Sequence, residues 1–111
     1  MIIATRVLKL HDPKGDVEIP IRIFLPELRQ DYGWVCPFEI DWPDGRMERF
    51  AGGQDSMQAI ILALSMIGVI IYTSDYHESG NLSFGEQGRG YGFPVPHTVR
   101  DLLIGDDAKF F

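Results

Sequence analysis

Apolar and polar residues alternate along two stretches in the first half of the chain. The odd positions of residues 17–25 are apolar, and the even positions of residues 34–42 are apolar. Alternation with a period of two is typical of β-strands that bury one face and expose the other. The pattern therefore predicts two strands, with Cys36 on the inward face of the second and Glu39 and Asp41 on its solvated face.

Two turn signals connect these strands to their neighbours. HDPKGD, at residues 11–16, places Pro13 and Gly15 at positions that suit a tight turn. WPDGR, at residues 42–46, contains Asp-Gly, which is a strong short-range hairpin signal. An antiparallel sheet of about four strands follows. Its two predicted hairpins join 2–10 to 17–25 and 34–42 to 47–51.

The periodicity changes to that of a helix after residues 52–53. Asp55 is a predicted N-cap, and Gln58 follows three residues later as in a capping box. The apolar run at 59–72 then predicts one central helix packed on the sheet. Its stripe toward the sheet contains four residues, Ile60, Leu64, Ile67 and Ile71.

The rest of this helix is also rich in apolar residues, so it needs a second cover. Ser65 and Gly68 are small enough to let another backbone approach closely. The cover is either the chain's own segment 94–111 or a second copy of the protein. A membrane span is not expected, because the run has 14 residues and a span needs about 20.

After the helix the chain is rich in glycine and proline and reads as an irregular C-terminal segment. A short strand at 81–84 and a short helical turn at 97–103 are its only regular elements. The chain shows no internal repeat and no linker. We therefore predict an α+β fold in one domain covering residues 1–111.

Composition and charge restrict the class of protein. The 111 residues are 45% hydrophobic and carry a net charge of −6, with no run of basic residues. Nucleic-acid binding is not expected, because phosphate backbones select basic surfaces. The single cysteine and the lack of a signal-like first segment favour a cytoplasmic protein.

The end of the predicted helix carries the densest group of titratable residues, Asp75, His77 and Glu78. A carboxylate beside a histidine is typical of acid–base or metal sites. The spacing does not match H-E-x-x-H, and a solvated loop is the simpler interpretation. No metal and no cofactor is predicted.

A glycine-rich loop at 85–92 follows, and it contains Arg89 and Tyr91. Its spacing matches neither of the phosphate-binding glycine motifs. Arg89 and Tyr91, together with His97, are the candidate contacts for a ligand or partner on this side. An irregular loop without a ligand is again the simpler interpretation.

Four segments, FEIDWPDG, GGQDSMQAIILAL, SDYHESGNLSF and GFPVP, resemble a small bacterial family of single-domain proteins of unknown function. They extend over residues 34–96. The resemblance implies a bacterial, cytoplasmic α+β domain. It implies no activity, so it assigns no catalytic residue.

Three functional hypotheses follow from these patterns. The first is a non-enzymatic binding or interaction protein that forms a homodimer or binds another protein, for example as an inhibitor or immunity-type protein. The alternative is a small enzyme or ligand-binding protein with a site near 75–78 and the glycine-rich loop. In that site a histidine would act as base and Arg89 or Arg100 would bind an anion. The third is a structural subunit of a larger assembly.

Overall fold

A computed structural model describes all 111 residues and has an α+β fold, as predicted. The antiparallel sheet has six strands, where the sequence predicted about four. The strands are β1 (Ile2–Leu10), β2 (Val17–Phe24), β3 (Glu27–Arg29), β4 (Gly33–Trp42), β5 (Gly45–Gly53) and β6 (Leu82–Ser83). The helices are α1 (Ser56–Tyr72), α2 (Asp75–Glu78), a 3-10 helix (His97–Leu102) and α3 (Gly105–Phe110).

The strand order is β3-β4-β2-β1-β6, with β5 paired to β4. The predicted hairpin of β4 and β5 is present, and its register runs from Trp34 opposite Gly53 to Trp42 opposite Gly45. The two strands beyond the predicted pairs are short. β3 has three residues and pairs with the start of β4, and β6 has two residues and pairs with the end of β1.

The chain divides into two compact units. The first unit contains Met1–Arg6 and Ile19–Ala63, and the second contains Val7–Glu18 and Leu64–Phe111. β1, β2 and α1 therefore contribute residues to both units. None of the helices is long and apolar enough to cross a membrane.

The core of the first unit follows the predicted alternation in β2, where Ile19, Ile21 and Ile23 are buried. Cys36 in β4 is also fully buried, as predicted, and burial raises the pKa of its thiol. The prediction for Glu39 was wrong, because this residue of the supposedly solvated face is only 8% exposed. Residues on both faces of β4 are therefore buried.

An ion-pair network holds this buried carboxylate. Arg22 Nη1 lies 3.0 Å from Glu39 Oε1 and 2.7 Å from Asp41 Oδ2. Arg46 Nε donates to Asp41 Oδ1 at 2.6 Å. Hydrogen bonds from Arg46 and Arg22 lower the pKa of Asp41 to about 2. The charged residues that the sequence predicted on this face thus form cross-strand ion pairs, and the face is partly shielded from solvent.

The start of α1 confirms the predicted N-cap. Asp55 Oδ1 accepts a hydrogen bond from the Gln58 backbone N–H at 2.8 Å. The Gln58 side chain reaches back to the N–H of Gln54 at 2.6 Å, one residue earlier than a capping box requires. These two bonds satisfy backbone donors at the helix entry.

The fully buried stripe of α1 differs from the prediction in its first half. Ala59 and Ala63 are fully buried, whereas Ile60 and Leu64 are only partly buried. Ile67 and Ile71 are fully buried, as expected. The stripe therefore advances by four residues at each step. The small alanines show that the first two turns are closely packed on this side.

The second cover of α1 differs between its two halves. In the second half, a Cβ atom added at Gly68 would lie 2.0 Å from the carbonyl oxygen of Pro94. The chain's own segment therefore covers the helix at this residue. In the first half, three apolar side chains stay exposed: Met57 (70%), Ile61 (56%) and Leu62 (43%).

Candidate functional site

The predicted cluster at the end of α1 lies on the short helix α2. Ser74 caps this helix, since its hydroxyl accepts a hydrogen bond from the His77 backbone N–H at 3.2 Å. Asp75 and Glu78 are exposed, and His77 is partly buried. Only the histidine of the three therefore faces the interior of its unit.

His77 and Tyr91, two of the candidate site residues, are brought together. His77 Nδ1 lies 2.6 Å from the Tyr91 hydroxyl. The rings of His77, Tyr91 and Tyr72 meet edge to face, with centroids 4.9–5.5 Å apart. Burial lowers the pKa of His77. Burial and the charge of Asp107 raise the pKa of Tyr91 to about 12. At neutral pH the tyrosine and the histidine are thus both uncharged, and a hydrogen bond joins them.

Asp107, in α3, connects this aromatic cluster to the C-terminal segment. Its carboxylate is 2% exposed and accepts three hydrogen bonds. The Tyr72 hydroxyl donates to Oδ2 at 2.5 Å, and the backbone N–H groups of Tyr91 and Gly92 donate at 2.8 Å each. Burial and the bond to this carboxylate raise the pKa of Tyr72 above its usual range. The phenol therefore remains a donor, and the carboxylate clamps α3 to two other segments.

The glycine-rich loop is shaped by close contact with α3. Gly90 has φ +94°, and a Cβ atom there would lie 2.6 Å from the Asp107 carboxyl carbon. A Cβ atom on Gly105 would lie 2.5 Å from the carbonyl oxygen of Gly88. These positions require glycine because neighbouring atoms fill the space of a side chain. Packing thus accounts for glycines that also resemble a ligand-binding loop.

Arg89 lies at the rim of an open cavity of about 450 Å³ in the second unit. Its guanidinium is paired on both sides, with Asp106 Oδ2 at 3.0 Å and Glu86 Oε2 at 3.1 Å. These two carboxylates raise the pKa of Arg89 further. An anion would have to compete with both of them for the same guanidinium.

The remaining candidate, His97, is exposed at the first residue of the 3-10 helix. No group of three or more histidine, cysteine, aspartate or glutamate side chains has an arrangement that could hold a metal ion. His77 bonds to Tyr91, Tyr91 bonds to Asp107 of α3, and Arg89 pairs with Asp106 of α3. These three candidates therefore lie beside α3 in the second unit. Two residues that join this cluster, Tyr72 and Asp107, were not among the predicted site residues.

A second polar contact was also missed, at the turn between β1 and β2. His11 Nε2 lies 3.1 Å from Ser83 Oγ, and its Nδ1 lies 3.2 Å from Asp16 Oδ1. The connectivity resembles that of a Ser-His-Asp triad, but Ser83 is only 2% exposed. The backbone N–H of His11 also donates to Asn81 at 2.9 Å. These bonds attach the turn to the start of β6.

The buried position of His77 leads to an expected pH dependence. Because the folded state lowers the pKa of His77, the unfolded state binds this proton more readily. The contribution of this residue to stability is complete above about pH 6.5 and is lost as the pH falls through the lowered folded pKa. We expect His77→Asn to flatten the decline in the free energy of unfolding between pH 7.5 and pH 5. The measurement is urea denaturation of both proteins across this range.

His97→Asn is the matched control, because that histidine is exposed. The control protein should keep the pH dependence of the unmodified chain. An equally steep decline in the His77→Asn protein would show that its burial does not control this proton.

The buried polar groups of the cluster around Asp107 are hydrogen-bonded within the chain, since no buried side-chain nitrogen or oxygen atom lacks a partner. Comparison with known proteins provides no activity for it. No curated protein and no solved structure matches the chain. A family model described as a domain of unknown function (DUF6968) matches residues 4–95. The chain therefore belongs to this family.

Proposed function

We propose that this chain is a non-enzymatic protein-binding domain that works as a homodimer in the bacterial cytoplasm. The observation that carries the proposal is the exposed apolar surface on the first half of α1. Met57 and Ile61 lie one turn apart, and Leu62 follows Ile61 on the adjoining side of the helix. We name these three residues the α1 patch.

Covering these side chains would be favourable. Burying apolar surface contributes about 25 cal/mol per Å², so three large side chains offer a partner considerable binding energy. Monomeric proteins rarely expose contiguous apolar patches, and those that do commonly use them for interactions. Methionine suits this use because its flexible side chain adapts to different surfaces.

Two polar groups of the candidate site are already engaged within the chain. The Asp107 carboxylate accepts three bonds from its own chain, and His77 Nδ1 is occupied by the Tyr91 hydroxyl. A general base needs a free nitrogen within reach of a substrate proton. At His77, Nδ1 would have to leave the Tyr91 hydroxyl before it could serve, so a base at this residue would act through Nε2.

The alternative proposal is a small enzyme or ligand-binding protein that uses the cavity at Arg89. Its support is a cavity of about 450 Å³, which is large enough for a small molecule. In that case Arg89→Ala should abolish ligand binding and leave protein binding intact. Ile61→Glu should have the opposite effect.

The test of the proposed function combines solution mass with affinity capture. We expect light scattering to give a particle of twice the 12.6 kDa chain mass. Capture from a native lysate should recover a stoichiometric protein that Ile61→Glu loses, because a buried charge on the α1 patch is unfavourable. Gln30→Glu adds the same charge at an exposed turn and should retain the partner. The proposal would be overturned by a monomeric protein that captures the same proteins with and without Ile61→Glu.

A further inference from the structure

The first unit contains an open cavity of about 420 Å³ where β4 meets β5 and the end of β2. Two neighbouring rows of side chains line it. In the β4–β5 register Pro37 lies opposite Phe50, and Glu39 lies opposite Glu48. Phe24 of β2 belongs to the same row as Pro37. The rows are two residues apart along each strand, or about 6.6 Å, so an apolar row and a polar row share one face of the sheet.

The apolar row presents an aromatic surface that neighbouring side chains hold in place. Phe50 is 36% exposed, and its ring packs edge to face with Tyr32, with centroids 5.2 Å apart. The Arg29 guanidinium lies 5.0 Å from the centroid of the Phe50 ring and pairs with Glu27 at 2.6 Å. A wall fixed in this way loses little conformational freedom when a ligand packs on it.

The polar row contains a carboxylate oxygen that has no hydrogen bond. The Glu39 side chain is only 10% exposed, and its Oε1 accepts from Arg22 Nη1 at 3.0 Å. Its Oε2 has an ion pair with Arg46 Nη1 at 3.7 Å, which is too long for a hydrogen bond. Every fully buried side-chain oxygen of the chain has a hydrogen-bond partner, so Oε2 is not fully buried, and Glu39 lines the cavity. A ligand that enters the cavity can therefore donate to this oxygen.

The side-chain charges around the cavity balance, so the donor need not be charged. Two arginines and two carboxylates form the ion-pair network that contains Glu39. The other charged lining residues are two carboxylates and two guanidinium groups, Glu27, Glu48, Arg29 and Arg49. A charged ligand would lose its hydration here without an excess of opposite charge to compensate it. A neutral donor avoids this cost.

We propose that the cavity binds a small neutral aromatic molecule with one N–H or O–H donor, of the indole or phenol class. The ring packs on the apolar row, and the donor reaches Glu39 Oε2 in the polar row. The spacing of about 6.6 Å between the rows suits a ligand whose donor lies at the edge of its ring. The cavity volume is also typical of small-molecule sites. The site shares no residue with the α1 patch, so the inference goes beyond the proposed function and does not depend on the homodimer.

The first experiment titrates the unmodified protein with matched indoles and follows its backbone amide signals by NMR. Indole and 3-methylindole carry the N–H donor, whereas N-methylindole lacks it and has the same number of atoms as 3-methylindole. We expect indole and 3-methylindole to cause saturable shifts near Glu39 and Phe50. N-methylindole should bind about tenfold more weakly or worse, because it cannot donate to the charged acceptor.

The second experiment compares Phe50→Ala with Phe110→Ala, which removes the same side chain from a residue of α3 that is 76% exposed. Phe50→Ala should weaken indole binding about tenfold, since an aromatic wall of the cavity is lost. Phe110→Ala should leave it unchanged. Glu39→Gln removes the charge of the acceptor and keeps its size, so it should weaken indole binding and not that of N-methylindole. If this variant does not fold, the matched indoles still decide the role of Oε2 in the unmodified protein.

The outcomes decide each part of the inference. Saturable indole binding that needs both the donor and Phe50 supports the site. Equal binding of N-methylindole and 3-methylindole overturns the role of Glu39, and a lack of saturable shifts in the lining residues overturns the site. Tryptamine that binds tenfold tighter than indole would show a cationic ligand class, and a tryptophan peptide with blocked ends that does so would show a partner's side chain. Either result overturns the small neutral molecule. No outcome depends on the solution mass, so the proposed function is tested separately.

Discussion

Replacing Asp107 by alanine is expected to lower the free energy of unfolding by about 3–5 kcal/mol. The carboxylate accepts the Tyr72 hydroxyl and two backbone N–H groups, and it is 2% exposed. Each donor left without a partner in a buried place costs about 1–3 kcal/mol. A loss of this size is a large part of the 5–15 kcal/mol that typically stabilises a domain.

Urea denaturation followed by circular dichroism measures this loss, and Asp106→Ala is its matched control. Asp106 is the adjacent residue, but its carboxylate is 38% exposed and pairs with the exposed Arg89. Such a pair contributes at most about 1 kcal/mol. Asp107→Asn should lie between the two, since its amide keeps one accepting oxygen. Equal stabilities for Asp106→Ala and Asp107→Ala would show that the buried carboxylate does not clamp the C-terminal segment.

The strands predicted most directly are those whose side chains alternate over many residues, and turn signals predicted their hairpin partners. β2 and β4 have eight and ten residues, so the alternation of apolar and polar residues repeats several times in each of them. β3 has three residues, too few for a period to appear. Its position depends on pairing with the start of β4, which is a contact made after the chain turns back. The missed strand β3 thus reflects tertiary pairing rather than local preference, whereas the short strand predicted at 81–84 is present as β6.

The candidate site was predicted only in part, for a related reason. His77 was predicted as a site residue because it lies close to two acidic residues in the sequence, but those two residues are exposed. The partners that matter are Tyr91, 14 residues away, and Asp107, 35 residues from Tyr72. The spacing of residues that are close together in the sequence does not reveal such contacts. The sequence therefore located one member of the cluster and missed the carboxylate that joins it.

The small residues of α1 were interpreted more successfully. The sequence predicted that Ser65 and Gly68 would let another backbone approach, but it left open whether that backbone came from the same chain. At Gly68 it is the backbone of Pro94. The choice depended on where the C-terminal segment returns to α1. Residue size alone could not determine this.

This contact makes Gly68→Ala an informative substitution, because its expected effect is opposite to the usual one. Alanine in place of glycine within a helix normally stabilises by about 0.5–1 kcal/mol. Here the new Cβ would lie 2.0 Å from the carbonyl oxygen of Pro94 and 3.0 Å from Val95 Cγ1. The nearest atom belongs to the backbone, so a side-chain rotation cannot relieve the overlap. We expect a net loss of about 1–3 kcal/mol.

Ser65→Ala is the control, since it improves helix propensity in the same element by about 0.5 kcal/mol at most. Urea denaturation of Gly68→Ala and Ser65→Ala should move the midpoint in opposite directions. The loss in Gly68→Ala should also be independent of protein concentration, because the covering segment belongs to the same chain. A concentration-dependent loss would mean that another copy lies over Gly68, and a gain would mean that nothing does. If the covering segment belongs to the same chain, Gly68 is shielded in a single folded chain. The α1 patch is then the part of the helix that stays exposed.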